Sequence, residues 1–346
     1  MRGWGWLVLG VYLWAACSEE AAPSGEPAGD AMGAPGEPGG EGTGAAADEG
    51  AGMEPSAGGT QEPVAVDAGM PNPAPETPTE QEPDPATLCN GHAALCDRTY
   101  DQVAFAATHN AHSSTPLGYT ALNANQNRTL PQQLADGVRG LLMDVYEEDG
   151  ETILCHGPCG LASQPHVEAL NELVAFLESN PREVITIIYE DHAPASSIEA
   201  DFVSTGLVDH VYTHAAGEAW PTLAEMIATD QRLVVTAESA GPPPAWLHHV
   251  WDVAFDTPYS FDSADAFSCE LNRGHADNDL FLLNHWVGNA FGLPSESGAE
   301  EVNLFDVLHG RAVECMEAAD HIPNFVAVDF YEHGDLFEVV DALNGV

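Results

Sequence analysis

Short apolar runs recur along the chain from residue 103 onward, and polar side chains follow several of them directly. Four of these runs have the length of buried strands and occupy residues 103–107, 141–143, 152–154 and 184–189. Apolar residues at helical spacing occupy residues 165–179, and Asn180-Pro181 ends that pattern just before the fourth run. The pattern predicts buried strands that alternate with amphipathic helices.

The same alternation continues to the end of the chain. Thr222 and Glu225 have the spacing of a capping box at the start of a short helix. Further strands are predicted at residues 233–236, 280–284 and 325–330, and further helices at 311–319 and 336–343. Repeated strand-helix units over residues 88–346 predict an α/β fold, a (β/α) barrel of the TIM type, which could be irregular or incomplete.

The first residues have the pattern of an export signal. Arg2 precedes an apolar run over residues 4–16 that is too short to span a bilayer as a stable helix, so residues 1–16 are predicted to be a signal peptide. The small residues before Cys17 resemble a bacterial lipoprotein cleavage site, which predicts lipidation of Cys17. Ordinary cleavage after Ala16 is the alternative. The protein is therefore expected to be lipid-anchored to a bacterial outer membrane or secreted.

Residues 17–87 differ in composition from the rest of the chain. From residue 18 to residue 87 there is no aromatic and no basic residue, and Gly, Pro, Ala and acidic residues dominate. Such a segment cannot bury enough apolar surface to offset the entropy lost on ordering. Residues 17–87 are thus predicted to be a disordered acidic linker that precedes one folded domain.

The charge of the chain excludes one class of function. Fifty-five acidic residues face eight basic ones, giving a formal charge of −47, and all eight basic residues are arginine. A nucleic-acid-binding protein needs a basic surface, so nucleic acid is not expected as a partner. An acidic, lysine-free surface is instead typical of exported proteins that tolerate high salt.

Six of the seven cysteines follow the predicted linker. An even number of cysteines in an exported domain indicates disulfides. Proximity favours the pairs Cys89–Cys96 and Cys155–Cys159, which leaves Cys269–Cys315. A zinc site at Cys155 and Cys159 is the alternative, but no second Cys/His pair follows at zinc spacing.

Candidate catalytic side chains stand at the ends of the predicted strands. His109, Asp144, His156 and Glu190 each follow or end an apolar run, and Asn110 follows His109. The ends of successive strands in a barrel or doubly wound sheet meet in one place. Histidines, carboxylates and an amide brought together there indicate acid/base chemistry on a charged substrate, with or without a metal.

These motifs together resemble the catalytic X region of phosphatidylinositol-specific phospholipases C. The matching segments are Ala107-Thr108-His109-Asn110, residues 133–141, Asp144-Val145-Tyr146 and Leu154-Cys155-His156-Gly157. Residues 176–191 and 323–330 extend the similarity toward secreted phospholipase-C-like phosphodiesterases. The resemblance covers residues 88–346 and implies a catalytic barrel.

The resemblance also implies a mechanism. A pair of histidines performs the chemistry in that family, and by position they are His109, as base or phosphate-polarising group, and His156, as acid. An inositol hydroxyl attacks the neighbouring phosphorus, and a cyclic inositol phosphate and diacylglycerol result. Asp329 is a candidate for orienting one histidine. Its alternative role is to cap a neighbouring loop.

A cation must stabilise the negative charge that develops on the phosphoryl oxygens. Calcium-dependent relatives have ligands matched here by Asn110, Asp144 and Glu190, but they carry a further carboxylate where this chain has Leu142. Metal-independent relatives carry an arginine where it has Tyr146. We expect weakly bound Ca²⁺ at Asn110, Asp144 and Glu190, since oxygen ligands suit that ion. Arg139 is the metal-independent alternative.

The predicted partner is a phospholipid or glycolipid substrate at a membrane surface, and the protein is expected to be a monomer. Few arginines are available to hold extra ring phosphates, which favours plain phosphatidylinositol. One alternative is a glycerophosphodiesterase or a barrel similar to sphingomyelinase D, which would have its first histidine in a His-Arg-Gly sequence. Another is a catalytically inactive barrel that acts as a surface binding module.

Overall fold

The computed structural model describes residues 84–346. The predicted signal peptide at residues 1–16, the lipidation site Cys17 and the predicted linker up to residue 83 lie outside the described residues. Residues 85–87, which the sequence assigned to the linker, form the 3₁₀ helix Pro85–Thr87. The predicted barrel region, residues 88–346, is described in full.

Within residues 84–346 the chain forms ten strands and eight α-helices. The strands are β1 Phe105–Thr108, β2 Gly140–Glu148, β3 Glu151–Leu154, β4 Gln164–Pro165, β5 Ile185–His192, β6 Leu233–Ala237, β7 Leu247–His249, β8 Ala254–Asp256, β9 Leu280–His285 and β10 Phe325–Val328. The helices are α1 Leu130–Asp136, α2 His166–Ser179, α3 Ala195–Thr205, α4 Leu223–Ala228, α5 Val250–Val253, α6 Glu296–Val302, α7 Phe305–Ala319 and α8 Leu336–Asn344. Short 3₁₀ helices include Ala93–Leu95, Tyr100–Gln102, Thr115–Leu117, Leu207–His210 and Ala264–Ala266.

Eight parallel strands form one curled sheet in the order β7-β6-β5-β2-β1-β10-β9-β8. The first and last barrel strands of the chain, β1 and β10, are neighbours, with Phe105 paired to Phe325 and Thr108 to Val328. No pairing joins β7 to β8 among the described residues, and the short helix α5 connects these two strands. The sheet is therefore an incomplete barrel, which confirms the α/β fold with an irregular or incomplete barrel.

One predicted strand has a different place in the fold. Residues 152–154 were expected to form another barrel strand, but β3 pairs antiparallel with β2, with Val145 opposite Leu154, and β4 pairs antiparallel with β3. Because β2 and β3 form a hairpin, the chain turns back and delivers Cys155 and His156 next to the end of the barrel. His156 therefore enters the site from the loop after the β2–β3 hairpin and not from the end of a barrel strand.

Side chains alternate between the two faces of the sheet, and each face has its own hydrophobic core. On β10, Val326 and Val328 join the larger cluster, which also contains helix residues such as Leu170 and Leu308 and lies between the sheet and the helices. Phe325 and Ala327 point to the other face. On this inner face the apolar layer extends to Leu142, Ile188 and Leu282, which line a pocket above it.

Three disulfides join Cys89 to Cys96, Cys155 to Cys159 and Cys269 to Cys315, the same pairs that proximity favours. The second closes the loop that contains His156, and the third ties the segment after β8 to helix α7. Among the helices of residues 84–346, none combines the length and the apolar character that a bilayer span requires.

Candidate active site

His109 follows the end of β1 and is held by contacts on three sides. Its backbone N–H donates to Val328 O at 3.0 Å. Its Nδ1 lies 2.8 Å from Asp329 Oδ1, and its ring stacks on the indole of Trp286 with centroids 3.9 Å apart and planes 3° apart. Because a carboxylate only accepts, the proton is on Nδ1, and Nε2 faces the site as an acceptor.

Asp329 follows β10, on the strand beside β1, and its side chain is 3% exposed. Asn125 Nδ2 donates to Asp329 Oδ1 at 3.0 Å. The next residue, Phe330, has a left-handed backbone with φ 45°, and its N–H donates to Asn125 O at 2.8 Å. A bulky residue seldom adopts this conformation, so the turn after Asp329 is fixed by the surrounding contacts.

His156 lies opposite His109, with ring centroids 6.5 Å apart, and both line one cavity with Asp329 and Trp286. Its Nδ1 donates to Asn123 O at 3.0 Å. Burial lowers the pKa of His156, and the neighbouring His109 lowers it further. A phosphodiester group placed between the two rings could therefore exchange protons with both.

The segment Asn123–Gln126 positions both histidines, and sequence analysis missed it. The Asn123 amide donates to His156 O at 3.2 Å, and Asn125 bonds Asp329 as described above. Gln126 Nε2 donates to His109 O at 2.8 Å and to Val328 O at 3.1 Å. The signal in the sequence was the cluster of amide side chains in Asn123-Ala124-Asn125-Gln126, which resembles an ordinary loop.

Three carboxylates lie side by side on adjacent strands of the inner face. Asp144 on β2 is the register partner of Glu190 on β5, and Glu238, directly after β6, donates its N–H to Tyr189 O at 2.9 Å. All three carboxylates line the pocket beside His109. Burial raises the pKa of Asp144 well above its usual range, and Glu190 and Glu238 raise it further. Burial also raises the pKa of Glu238 to about 7, against the opposing effect of Arg273.

Asn110 connects this carboxylate group to His109. One terminal atom of its amide lies 2.8 Å from Asp144 Oδ1, and the other lies 3.2 Å from His109 Nε2 and 3.3 Å from Asn125 Oδ1. With nitrogen toward Asp144, the amide oxygen faces the oxygen of Asn125. With oxygen toward Asp144, two oxygens lie 2.8 Å apart and need a proton or a cation between them.

These oxygen donors fit a hard divalent cation. With its amide oxygen toward Asp144, Asn110 would place an oxygen beside the 6%-exposed carboxylate, and a cation there would compensate for the burial of the Asp144 charge. Glu190 lies on the same side of the pocket, but its side chain is 55% exposed and its Oε1 lies 3.0 Å from His192 Nε2. His192 would therefore compete with a cation for this oxygen of Glu190.

Arg273 is the arginine that the structure places in this pocket. Its guanidinium donates to both oxygens of Glu238 at 2.9 Å and to Asp256 Oδ2 at 2.7 Å. It also lies over the rings of Trp251 and Tyr259, at 4.2 and 4.7 Å from their centroids. Arg273 belongs to none of the predicted catalytic motifs, so no local pattern indicated it.

Arg139, the predicted metal-independent cation, does not lie in the site. It precedes β2, so it stands at the end of that strand opposite Asp144. Its guanidinium bonds Glu183 at 2.8 Å and the carbonyls of Leu134 and Val138, and it lies over Phe176 of helix α2. The prediction that Arg139 stabilises the phosphoryl group is wrong, because its side chain ties the outer helices to the start of β2.

Comparison with known proteins fits this geometry. The model of the PI-PLC X family, described as PI-PLC X 1, matches residues 95–344. This chain belongs to the PI-PLC X family. The family resemblance found in the sequence is thereby confirmed.

Two relatives of this PI-PLC X family member come from Arthroderma benhamiae. A PI-PLC X domain-containing protein 1 is 30% identical over 288 residues, which cover 78% of this chain and 92% of the relative. An uncharacterized secreted protein is 30% identical over 305 residues, which cover 78% of this chain and 67% of the relative.

A solved structure shares the fold. A variant of the phosphatidylinositol-specific phospholipase C from Staphylococcus aureus superimposes with a TM-score of 0.50 and 12% sequence identity. The match covers 71% of this chain and 94% of that chain. At this identity the similarity shows the fold alone.

Proposed function

We propose that this PI-PLC X family member is a phosphodiesterase that cleaves phosphatidylinositol-type lipids by intramolecular attack. The observation that carries the proposal is the pair of histidine rings, His109 and His156, which face one cavity at a centroid distance of 6.5 Å. The bond between His109 and the buried Asp329 supports it, because acid/base catalysis needs an imidazole in a defined tautomer. Membership of the family supports the same class of reaction.

His109 acts as the general base. Asp329 holds the proton on Nδ1, so Nε2 takes the proton of the inositol hydroxyl next to the phosphate. The hydroxyl oxygen forms a new bond to phosphorus as the bond to the glycerol oxygen breaks. Asp329 then stabilises the imidazolium that has formed on His109.

His156 acts as the general acid. It gives its proton to the departing diacylglycerol oxygen, so the products are a cyclic inositol phosphate and diacylglycerol. In a slower second step the roles reverse: neutral His156 takes a proton from water, and protonated His109 gives one to the ring oxygen that leaves phosphorus. Hydrolysis of the cyclic ester returns both histidines to their starting states.

Two sources of positive charge can stabilise the phosphoryl oxygens. Asn110, Asp144 and Glu190 would hold Ca²⁺, which when bound supplies a Lewis acid for those oxygens. Arg273 keeps a permanent positive charge in the same pocket, although Glu238 and Asp256 largely neutralise it. Calcium binding at these residues remains a proposal.

The pocket beside His109 favours a headgroup rich in hydroxyls. Glu190 and Glu238 line this pocket and offer carboxylate oxygens that accept hydrogen bonds from ring hydroxyls, and Arg273 can donate hydrogen bonds to those hydroxyls. The same carboxylates repel phosphate groups on the ring. We therefore propose phosphatidylinositol, or a glycolipid with an unphosphorylated inositol, as the substrate.

Export is part of the proposal. A relative that is 30% identical is named as a secreted protein, and three disulfides are typical of an exported domain. Anchoring through Cys17 and a monomeric state remain predictions.

The test is turnover of phosphatidylinositol vesicles by the full-length protein, followed by ³¹P NMR of the water-soluble product. We expect cyclic inositol phosphate from the unmodified protein, and a loss of about 10³-fold or more in His109→Ala and His156→Ala. His275→Ala, at an exposed histidine outside both cavities, is the control. Turnover that survives both active-site substitutions would refute the mechanism. Turnover of glycerophosphodiesters in place of phosphatidylinositol would show that the site acts on a different class of substrate.

A further inference from the structure

Arg311 is a buried cation whose described contacts include no ion pair with a carboxylate. It lies on helix α7 and is 6% exposed. Its hydrogen bonds go to backbone carbonyls, to a histidine and to a hydroxyl. A buried charge is costly unless its surroundings compensate for it, so a simple packing role would be served better by an apolar residue.

The contacts of Arg311 converge on the end of β9. One guanidinium nitrogen, Nη1, donates to Asn284 O at 2.6 Å and to His285 Nδ1 at 3.2 Å. The other, Nη2, donates to Ser268 O at 3.1 Å. Arg311 thus joins β9 to the segment of residues 257–269, which follows β8.

His285 is held from both sides by this arrangement. Its Nε2 donates to Val302 O at 2.9 Å, which leaves Nδ1 as the acceptor for Arg311. Burial, together with the neighbouring charge of Arg311, lowers the pKa of His285 to about 3, so the ring is neutral. The residue that precedes Trp286 therefore has a fixed orientation, and Trp286 is the ring that stacks on His109.

The segment 257–269 is fastened to α7 and to the loop after β9. The guanidinium of Arg311 lies 4.1 Å from the Phe267 ring centroid, and Phe267 in turn lies 4.6 Å from the His285 ring. Cys269 is bonded to Cys315, one helical turn after Arg311. Phe261 O accepts from Gly288 N at 2.8 Å. This segment also carries Tyr259, which lines both cavities of the site.

We propose that Arg311 is a positioning residue that fixes Trp286 against His109 and, through residues 257–269, fixes the wall of the active site that contains Tyr259. The inference rests on the proposed function in so far as His109 is the base. Arg311 itself does not line either cavity. It acts through its hydrogen bonds to Asn284, His285 and Ser268.

Removal of the Arg311 guanidinium should let the indole of Trp286 shift, while the residues that line the site remain present. Asn284 O, His285 Nδ1 and Ser268 O would lose a shared donor, and no other side chain on α7 bonds to them in the described structure. A displacement of about 1 Å at a group that positions a catalytic residue can cost on the order of 10²-fold in rate. We therefore expect kcat to fall roughly 10- to 100-fold, with KM within about threefold of its original value.

The experiment compares Arg311→Lys and Arg311→Met with Arg232→Lys and Arg232→Met in the full-length protein. Arg232 is the control because it is 3% exposed and also donates to backbone carbonyls, at Leu177, Asn180 and Glu183, away from the site. It differs from Arg311 in that it also pairs with the exposed Asp230 at 2.7 Å. Thermal unfolding reports the stability lost by each variant. A general loss of packing would lower kcat in both series, whereas a positioning role lowers it at Arg311 alone.

A second readout does not depend on turnover. Ring protons of His109 stacked on Trp286 experience the ring current of the indole, so their NMR signals, assigned with His109→Ala, should move in the Arg311 variants and stay in place in the Arg232 variants. Phe267→Leu, which removes the ring above the guanidinium but no hydrogen bond, serves if an Arg311 variant does not fold. Unchanged His109 signals together with kcat within twofold would overturn the inference. If the His109 signals move in the Arg311 variants but the unmodified protein turns over no phosphodiester, the positioning role is upheld and the proposed function is refuted.

Discussion

His109 Nδ1 lies 2.8 Å from Asp329 Oδ1, and the two residues reach this distance because they follow paired strands. Strand β1 ends one residue before His109, and β10 ends one residue before Asp329. Asn125 donates to the same carboxylate oxygen at 3.0 Å, so Asp329 cannot turn away without losing two partners. The carboxylate thus sets both the tautomer and the plane of the His109 ring.

Asp329→Asn tests this relationship with little change in shape. The substitution removes the negative charge that keeps a proton on Nδ1 and stabilises the imidazolium, so we expect kcat on phosphatidylinositol to fall roughly 10²- to 10⁴-fold. Vesicle binding should stay within about twofold. A protein that folds normally and retains full kcat would assign Asp329 to loop capping, the alternative that the sequence left open.

The pH dependence should reveal the acid. Burial and the nearby His109 lower the pKa of His156 below its usual value of 6.5, so the protonated form is lost as pH rises through that lowered value. Because His156 must be protonated to serve the leaving group, kcat/KM is expected to decline on the alkaline side beginning below pH 6.5. The anionic phosphodiester favours the imidazolium, so the decline in kcat should begin at higher pH.

The measurement is a pair of pH–rate profiles, one of kcat/KM and one of kcat. His156→Ala should lack the alkaline decline in its residual activity, whereas the control His275→Ala should keep it. A decline at the same pH in all three proteins would assign it to a different group.

The sequence predicted the parts of the molecule that depend on local pattern. Apolar runs located β1, β5, β9 and β10, because a fully buried parallel strand reads as a continuous apolar run. Strands β7 and β8 escaped prediction because each has only three residues, and Asp256 on β8 is a buried carboxylate. The hairpin of β2 and β3 was missed because an apolar run does not show which strand it pairs with.

Whether a site residue could be predicted from the sequence depended on its position relative to the strands. His109 and Asp144 were found because each follows a predicted apolar run, and Glu238, directly after β6, carried the same signal without being recognised. Arg139 precedes its strand and therefore belongs to the opposite edge of the sheet. Arg273 lies 17 residues after its partner Asp256 in an irregular segment, where no periodicity exists.

Removal of calcium should lower the activity if Asn110, Asp144 and Glu190 bind it. We expect a chelator to reduce turnover at least about tenfold, and millimolar Ca²⁺ to restore it, because the cation would neutralise the phosphoryl oxygens. Asp144→Asn should abolish the restoration, and isothermal titration should show weaker Ca²⁺ binding.

Glu332→Gln is the matched control for that experiment. Glu296, Glu332 and His333 offer ligand atoms within 4.8 Å of one another, so they could bind a metal independently of the active site. Calcium dependence that disappears with Glu332→Gln would place the effect at that group. Full activity in the presence of a chelator would show that calcium is not needed, and Arg273 would then be the source of the positive charge that stabilises the phosphoryl oxygens.

Phe291 should contribute to the contact with the lipid surface. It is 87% exposed in the loop after Trp286, and its neighbours Gly292 and Leu293 line the cavity that contains both histidines. Leu161, in the loop after His156, is 65% exposed. With a formal charge of −47, the protein cannot rely on attraction to anionic headgroups, so exposed apolar side chains beside the cavity are the available means of adsorption.

Phe291→Ser should therefore weaken binding to phosphatidylinositol vesicles about 10- to 100-fold, since burial of a phenylalanine side chain contributes roughly 1.5–3 kcal/mol. Sedimentation with vesicles measures the binding, and a water-soluble inositol phosphodiester measures the chemistry, which should not change. Val203→Ser is the control, because Val203 is 60% exposed on helix α3 and lines neither cavity of the site. Equal vesicle binding by the Phe291 and Val203 variants would show that the loop after Trp286 does not enter the lipid, and that substrate is drawn from the surface by the pocket alone.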